Sequence, residues 1–244
     1  MNNPLMTKTA DRGSAWERAA NYEKEERQMR PVRKIVVKGA VDVVFFRAPV
    51  ACLVVAGESQ EAVRSVKTRF DGSKLVIEQE GAAISVAGGS IHVSGSGNIV
   101  AGGTIHVSGG RRGGGSITIE QGGCIIGIAL PEAPSIRIKG SGDVTLYDLQ
   151  QSVLDVGVQG SGDITAFGQV EHLEAEVAGS GDVDASELVA MTAELSVAGS
   201  GDIEAHVRQS VKARVAGSGD IVVRGNPPSR VQSVAGSGDI KFKK

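Results

Sequence analysis

The sequence predicts an all-β fold, a right-handed β-helix or closely related β-solenoid with coils of roughly 19 residues. The main observation is a repeat of Gly-Ser-Gly-Asp, with successive copies 18 to 20 residues apart. A short motif at so steady a period is typical of stacked repeat proteins. The six copies begin at Gly140, Gly160, Gly179, Gly199, Gly217 and Gly236.

A second observation is the alternation of side chains around each copy. The residues two and four before the first Gly, and one and three after the Asp, share one face of an extended strand. Of these 24 residues, 23 are apolar, while the interleaved ones are mostly polar. Each repeat is therefore predicted to be strand, tight turn, strand, with one buried face. One inward column is Ile138, Val158, Val177, Val197, Val215 and Val234.

A third observation is the aromatic content of 3%, which fits a thin interior filled by aliphatic residues. A repeat of about 19 residues is also too short for the helix pairs of most helical repeats. The last coil has Arg230 and Gln232 at positions that are apolar in earlier coils. Terminal coils need polar residues to prevent edge-to-edge growth, so these residues indicate a cap.

The predicted solenoid covers residues 32–244, because the same template is present near the start. Ile35 and Val37 precede an altered turn, Gly39-Ala40-Val41-Asp42, and the dipeptide Asp71-Gly72 predicts a hairpin. Residues 1–31 form a polar N-terminal arm, in which the spacing of Ser14 and Glu17 is that of a helical capping box.

Residues 81–123 are a Gly-rich insertion within this domain. Low-complexity Gly-rich sequence is often a linker, but regular β-branched triplets favour short strands in smaller coils. The segment around Gly95-Ser96-Gly97-Asn98 is a near copy of the main turn.

Composition excludes several classes of protein. A formal net charge of −2 gives no electrostatic case for nucleic acid or an anionic membrane. No apolar stretch is long enough for a transmembrane segment, and Met1 to Arg30 contains no apolar signal core. Cys52 and Cys124 have no metal-type spacing, which suits a reducing compartment. The sequence as written is expected in the cytoplasm, or at the cell envelope if the true start lies upstream.

The aspartates of the repeated turns form the first candidate site. Stacked in register, adjacent carboxylates would repel each other by roughly 0.8 kcal/mol at about 5 Å, even in water. Bound cations could offset that repulsion; alternatively, each Asp caps its own turn by accepting backbone N–H bonds, which is the favoured interpretation. The column is Asp143, Asp163, Asp182, Asp202, Asp220 and Asp239.

No catalytic, cofactor-binding or dedicated metal-binding residues are predicted. His92 and His106 occupy matching outward positions, but two histidines alone make an incomplete metal site. The repeated serines (Ser141, Ser161, Ser180, Ser200, Ser218 and Ser237) are equivalent, whereas a nucleophile needs one unique base. A stripe of outward alanines, which contains Ala178, Ala198, Ala216 and Ala235, is either a packing face for another protomer or a result of turn geometry.

Taken together, residues 32 to 244 resemble the GIN-domain family, described as auto-transporter adhesin head domains. The resemblance is carried by Val37 to Val43, Leu53 to Gly57, the strand from Asp71 to Ile77 and the serial turns. It implies a β-helical, non-enzymatic domain, usually at the bacterial cell envelope, with a role in adhesion.

Two functions follow as expectations. The first is a binding or adhesion module that offers an extended surface to a protein or glycan ligand. The alternative is an intracellular scaffold that self-associates through its solenoid, as bactofilin-like proteins do, with a second copy of the chain as partner. An enzyme is not expected, because acidic residues recur evenly and form no unique cluster with Arg or Lys.

Overall fold

The computed structural model describes residue 5 and residues 15–79, 83–87, 90–94, 105–108, 116–119 and 123–243. A 3-10 helix spans Ala15–Ala19, and one α-helix, α1, spans Gln60–Ser65. The strands of the first half are β1 (Glu23–Arg27), β2 (Lys34–Gly39), β3 (Asp42–Arg47), β4 (Cys52–Gly57), β5 (Val66–Asp71), β6 (Lys74–Gln79), β7 (Ala83–Ala87), β8 (Ser90–Ser94), β9 (Ile105–Ser108) and β10 (Ser116–Ile119). Those of the second half are β11 (Cys124–Leu130), β12 (Ser135–Gly140), β13 (Val144–Val158), β14 (Ile164–Val177), β15 (Val183–Val197), β16 (Ile203–Gly217), β17 (Ile221–Arg224), β18 (Ser229–Gly236) and β19 (Ile240–Lys243).

The fold is a β-solenoid, as the sequence predicts. Strands β13 to β16 are 14 or 15 residues long and pair in parallel, with register shifts that separate their first residues from their last. All of them belong to one 15-stranded sheet, which we divide at these shifts into two parts, called the first and the second sheet. The first sheet has the order β1-β4-β11-β3, then the first halves of β13 to β16, then β17-β19. The second sheet has the order β5-β6-β2-β12, then the second halves of β13 to β16, then β18.

The core lies between these two sheets and consists of the predicted inward columns. Along the column that starts at Ile138, the next four residues are at most 1% exposed. Among the described residues the buried core contains no polar or charged side chain. The alternating pattern thus confirms which face of each strand is inside.

The Gly-Ser-Gly-Asp turns stack directly on one another. In the turn at Gly179, the N–H groups of Ser180 and Gly181 donate to the carbonyl oxygen of Gly160 at 2.9 and 3.2 Å. A Cβ atom on Gly181 would lie 2.1 Å from the carbonyl oxygen of Gly162. Glycine is required there because the backbones of adjacent coils approach too closely for any side chain.

The first coil is formed by β2, the altered turn and β3, which confirms the template at residues 35–45. Gly39 stacks against Gly140, and β2 and β3 pair in parallel with β12 and β13. Between β3 and β12 the chain leaves the stack and adds strands to its N-terminal end. The predicted hairpin at Asp71-Gly72 joins β5 and β6 in antiparallel register.

The polar N-terminal arm packs against this coil. Its helical part is the short 3-10 helix, and the charged run Glu23–Arg27 is strand β1, paired antiparallel with β4. Ser14 of the predicted capping box lies outside the described residues. Trp16 is 1% exposed and covers Gly127, where a Cβ would lie 2.7 Å from the indole ring.

Helix α1 closes the N-terminal end of the core with Ala62 and Val63. It begins at Ser59, whose side-chain oxygen accepts a hydrogen bond from the Ala62 N–H at 3.2 Å. Arg27 of β1 fixes the other end of the helix by donating to the carbonyl oxygens of Val63 and Val66. This end of the solenoid is therefore covered.

The C-terminal end is different. Strand β18 is exposed along its whole length, including Val231 and Val234 at 61% and 46%. Arg230 lies 4.2 Å from the centroid of Phe242, across the end of the core. A cationic side chain at an inward position opposes strand addition, in agreement with the predicted cap.

The Gly-rich insertion contains the short strands that its sequence predicts, but they do not form coils. Strands β7 and β8 pair as one antiparallel hairpin, and β9 and β10 pair as another. The near-copy turn Gly95 to Asn98 lies outside the described residues.

Candidate functional site

The predicted aspartate column forms a continuous relay of hydrogen bonds between coils. The backbone N–H of each Asp donates to the Oδ1 atom of the Asp one coil earlier, at 2.7 to 3.1 Å. The relay starts at Asp42 of the altered turn and ends at Asp239. Each carboxylate thus caps the following turn, not its own, and the hydrogen bonds offset the repulsion between adjacent carboxylates.

One member of the column also forms an ion pair. Lys241 Nζ lies 2.6 Å from Asp220 Oδ2. The hydrogen bond from Lys241 and the N–H of Asp239 hold the pKa of Asp220 below its usual value. In return, the hydrogen bond to Asp220 raises the pKa of Lys241. Within the described part of the chain, no three His, Cys, Asp or Glu side chains are grouped so that they could hold a metal ion.

The serines and histidines singled out from sequence lie in the turns and strands. The six turn serines are all exposed. His92 and His106 belong to different hairpins, in β8 and β9. His172 lies in β14, where its Nδ1 atom is 2.8 Å from the hydroxyl of Thr192.

The two cysteines are buried and are not bonded to each other. Burial raises the pKa of the Cys124 thiol to about 11, and the thiol donates to the carbonyl oxygen of Ala62 at 3.1 Å. Burial also raises the pKa of Cys52. Both thiols are therefore protonated and shielded near neutral pH, and neither is a candidate nucleophile.

The outer surface of the second sheet carries a concentration of positive charge at its N-terminal end. We call this surface the basic face, defined by the outward residues of β5, β6, β2 and β12. Its seven basic residues stand against only two acidic ones, Asp71 and Glu78. The basic residues are Lys67, Arg69, Lys74, Lys34, Lys38, Arg137 and Lys139.

Part of this positive charge has no counterion among the residues that the structure describes. Lys74 pairs with Asp71 at 2.7 Å, Lys38 lies 3.8 Å from Glu78, and Arg137 lies 2.6 Å from Asp155. Within the described residues, Lys34, Arg69 and Lys139 have no acidic partner at ion-pair distance. Register places Lys34 beside Lys74 and Lys38 beside Lys139, so like charges lie on neighbouring strands.

The basic face also contains apolar residues and a depression. Val36 and Val76 point outward from β2 and β6 and are 7% and 5% exposed, between the long charged side chains. An open depression of about 520 Å³ adjoins Val76; it is lined by Arg27, Val66, Lys67, Thr68, Arg69, Val76 and Glu78.

Further along the same outer surface the charge changes sign. Asp155, Glu174, Glu176 and Glu194 follow one another on β13, β14 and β15, and we call them the acidic band. Glu194 is paired with Lys212 at 2.8 Å, whereas Glu174 and Glu176 have no basic partner among the described residues. The basic face is therefore limited to four strands.

The outer surface of the first sheet has a different character. Leu5, Trp16 and Ala19 cover its N-terminal strands. Beside them Phe46, Tyr147 and Phe167 stack, with ring centroids 5.4 and 5.2 Å apart. These rings face one another, which indicates that they stabilise the stack of coils.

Sequence reasoning missed the basic face because its residues come from three distant segments of the chain. Parallel pairing of β2 with both β6 and β12 brings these segments together. The sequence does contain one signal for this face: lysines at positions 34, 38 and 139 alternate with inward Ile and Val residues in β2 and β12.

These features define a class of protein, the β-solenoid with an apolar, mostly aliphatic interior and, among the described residues, charged groups only on outer surfaces. A family model described as "Putative auto-transporter adhesin, head GIN domain" matches residues 32–227, and the chain belongs to this family. No curated protein matches the chain.

Solved structures share the fold. A crystal structure described as a putative adhesin from Bacteroides fragilis is 19% identical, with a TM-score of 0.60, covering 92% of this chain and 98% of that one. Another, described as a putative lipid binding protein from Parabacteroides distasonis, is 20% identical with a TM-score of 0.54 and the same coverage. No helix among the described residues has the length and apolar character needed to span a membrane.

Proposed function

We propose that this chain is a non-enzymatic binding module of the adhesin type, which presents the outer surfaces of a rigid solenoid to a protein or glycan ligand. One observation carries the proposal: the described core is apolar and mostly aliphatic, and charged groups of neighbouring strands lie in register on outer surfaces. Such a scaffold fixes side chains on neighbouring strands at a spacing of about 4.8 Å. It therefore offers a preorganised surface, which lowers the entropy lost on binding.

The arrangement of polar groups supports recognition over chemistry. Acyl or glycosyl transfer needs an activated nucleophile or a pair of carboxylates beside a bound substrate. In this chain the aspartates are engaged in the turn relay, and the two thiols are buried and protonated. The family and the solved structure from Bacteroides fragilis carry the description of adhesins.

The test is a binding screen with the full chain immobilised through its C-terminus. Extracellular-matrix proteins, bacterial cell-wall polysaccharides and host glycans are passed over it, and retention is measured by surface plasmon resonance. Saturable binding of any of these ligands supports the proposal. The control is the same chain unfolded in urea before immobilisation; equal retention on it, or no retention of any ligand, contradicts the proposal.

A second candidate function is the self-associating scaffold. The observation in its favour is the exposed edge of β18, whose Val231 and Val234 are largely uncovered. Sedimentation velocity over a hundredfold range of concentration tests it. Polymers that grow with concentration support the scaffold, and a constant monomer or small oligomer opposes it.

Cellular location separates the two functions. We propose that a chain acting as an adhesin is recovered with the cell envelope, while a scaffold is recovered in the soluble fraction. Fractionation of cells that express the tagged chain from its native locus distinguishes these outcomes.

A further inference from the structure

We infer that the basic face binds an anionic polysaccharide, one that carries carboxylate or sulfate groups. This inference rests on the proposed function, because it names the ligand class and the surface for the same binding module. The first argument is charge. Among the residues that the structure describes, Lys34, Arg69 and Lys139 have no acidic partner at ion-pair distance, and they lie on three strands of one continuous sheet.

The dimensions of the surface fit a short stretch of polymer. Four strands at about 4.8 Å span roughly 14 Å across the sheet, and five residues of β2 span roughly 13 Å along it. Arg69 and Arg137 lie in the same row, separated by Val76 and Val36. A linear polyanion that crosses the strands along this row would meet the exposed cation of Arg69 at one end, while Arg137 at the other end is already paired with Asp155.

The two valines of this row are only 7% and 5% exposed, so a ligand on the row would contact mainly the charged side chains around them. Val76 also borders the depression, whose volume of about 520 Å³ lies in the range of ligand sites. The depression is lined by the cation of Arg69 and by the Thr68 hydroxyl, which accepts a hydrogen bond from Arg27 at 3.4 Å. It can therefore hold one anionic sugar unit while the rest of the polymer lies on the sheet.

A second copy of the chain fits this surface less well. A two-fold dimer could place the basic face against the acidic band of its partner. However, Lys and Glu are depleted from the buried centres of protein interfaces because their desolvation is costly. Both surfaces here consist largely of such residues.

Nucleic acid also fits less well. Proteins that bind single strands stack bases on aromatic side chains, and the basic face has none among its outward residues.

The test measures binding of the full chain to heparin, a sulfated polysaccharide, by isothermal titration calorimetry at several salt concentrations. Neutral dextran and duplex DNA are the comparison probes. One variant, Arg69→Glu with Lys139→Glu, removes two exposed cations of the basic face. The matched control, Arg208→Glu with Arg214→Glu, makes the same change of charge with exposed residues of β16, away from the basic face.

We expect the wild-type chain and the β16 control to bind heparin with similar affinity, in a salt-dependent manner. The basic-face variant should bind at least tenfold more weakly, with a slope of log K against log salt reduced by about one to two. Circular dichroism and melting curves identify a variant that does not fold, in which case Arg69→Gln with Lys139→Gln replaces it.

Several outcomes overturn the inference. Equal weakening by both variants shows that net charge matters and the basic face does not. Tighter binding of duplex DNA than of heparin assigns the surface to nucleic acid. No binding of heparin, together with a positive result in the ligand screen described above, removes this inference and leaves the proposed function intact. No binding in either experiment removes both.

Discussion

At the scale of single residues, the aspartate relay determines how one coil recognises the next. A carboxylate that accepts a hydrogen bond from the N–H of the following turn couples two coils. A carboxylate that caps its own turn would stabilise only one coil. The sequence predicts that these aspartates accept backbone hydrogen bonds. It does not predict which turn supplies the N–H donor, because that choice depends on the spacing between adjacent coils.

Replacing one aspartate inside the relay should therefore weaken the stack. Asp202→Ala removes the acceptor for the Asp220 N–H, which lies 2.7 Å away, and should lower the free energy of unfolding by about 0.5–1 kcal/mol. Asp239→Ala is the matched control, since no described turn follows it. Urea unfolding followed by circular dichroism measures both. Equal losses in the two variants would contradict the relay.

The second Gly of each turn should tolerate no side chain. Gly181→Ala would place a Cβ 2.1 Å from the carbonyl oxygen of Gly162, so two coils must separate. We expect a loss of about 3 kcal/mol. Gly72→Ala, at a positive φ of 58° but with open space around it, should cost only about 1 kcal/mol. Thermal melting compares the two, and a larger loss for Gly72→Ala would refute the argument from close approach.

At the scale of elements, the strands of the repeats were the most predictable. Period-two alternation identified the inward faces of β12 to β17, because burial on one side leaves a clear pattern. Strand β1 was not predictable in this way: Glu23–Arg27 has no apolar alternation and is a strand because it pairs with the edge of β4. The hairpins β7–β8 and β9–β10 show the converse, since β-branched triplets predict strands but not their partners.

Helix α1 should depend on a side chain from another element. Arg27→Ala removes hydrogen bonds to the carbonyl oxygens of Val63 and Val66, leaving partly buried acceptors without a donor. The expected loss is about 2 kcal/mol. Arg64→Ala, on the exposed side of the same helix, should cost less than about 0.5 kcal/mol. Urea unfolding of both variants tests this, and equal costs would show that Arg27 does not hold the helix.

The pairing of β19 should depend on pH. The pKa of Asp220 is lower in the folded chain than in the unfolded chain, where it is about 4. The ion pair with Lys241 therefore stabilises the fold fully above about pH 4, and this contribution is lost as the pH falls through the lower, folded pKa. The raised pKa of Lys241 means that the contribution is also lost at strongly alkaline pH, as the lysine deprotonates. Hydrogen exchange over Ile240–Lys243, corrected for intrinsic rates, should therefore accelerate as the pH falls from about 5 to about 2. In Lys241→Gln the acceleration should be smaller, and in the control Lys243→Gln it should be unchanged.

At the scale of the whole molecule, the two ends of the solenoid are closed by different means. The N-terminal end has a helix and antiparallel strands, while the C-terminal end depends on Arg230 above Phe242. The sequence predicted this cap from two polar residues at inward positions. It could not predict the basic face, since the order of strands in the second sheet departs from their order in the chain.

Removing the cationic cap should turn the C-terminal end into an association site. In Arg230→Val an apolar residue joins the exposed Val231 and Val234 at an unpaired strand edge. We expect dimers or larger species at micromolar concentration, measured by light scattering after size-exclusion chromatography. Arg230→Lys retains a cation and should remain in the wild-type state. A monodisperse Arg230→Val variant of wild-type size would show that Arg230 does not limit association.

The first coil is held to the others by contacts between residues far apart in the chain, as in the hydrogen bond from Asp143 to Asp42, 101 positions earlier. The covalent connection through the Gly-rich insertion is thus separate from the ladder that joins β2 to β12 and β3 to β13. A peptide bond cut within residues 109–115 would divide the polypeptide and leave that ladder unbroken. One fragment would carry the first coil and the other the remaining stack. We expect these two fragments to reassemble in trans, so that one can report on the folding of the other.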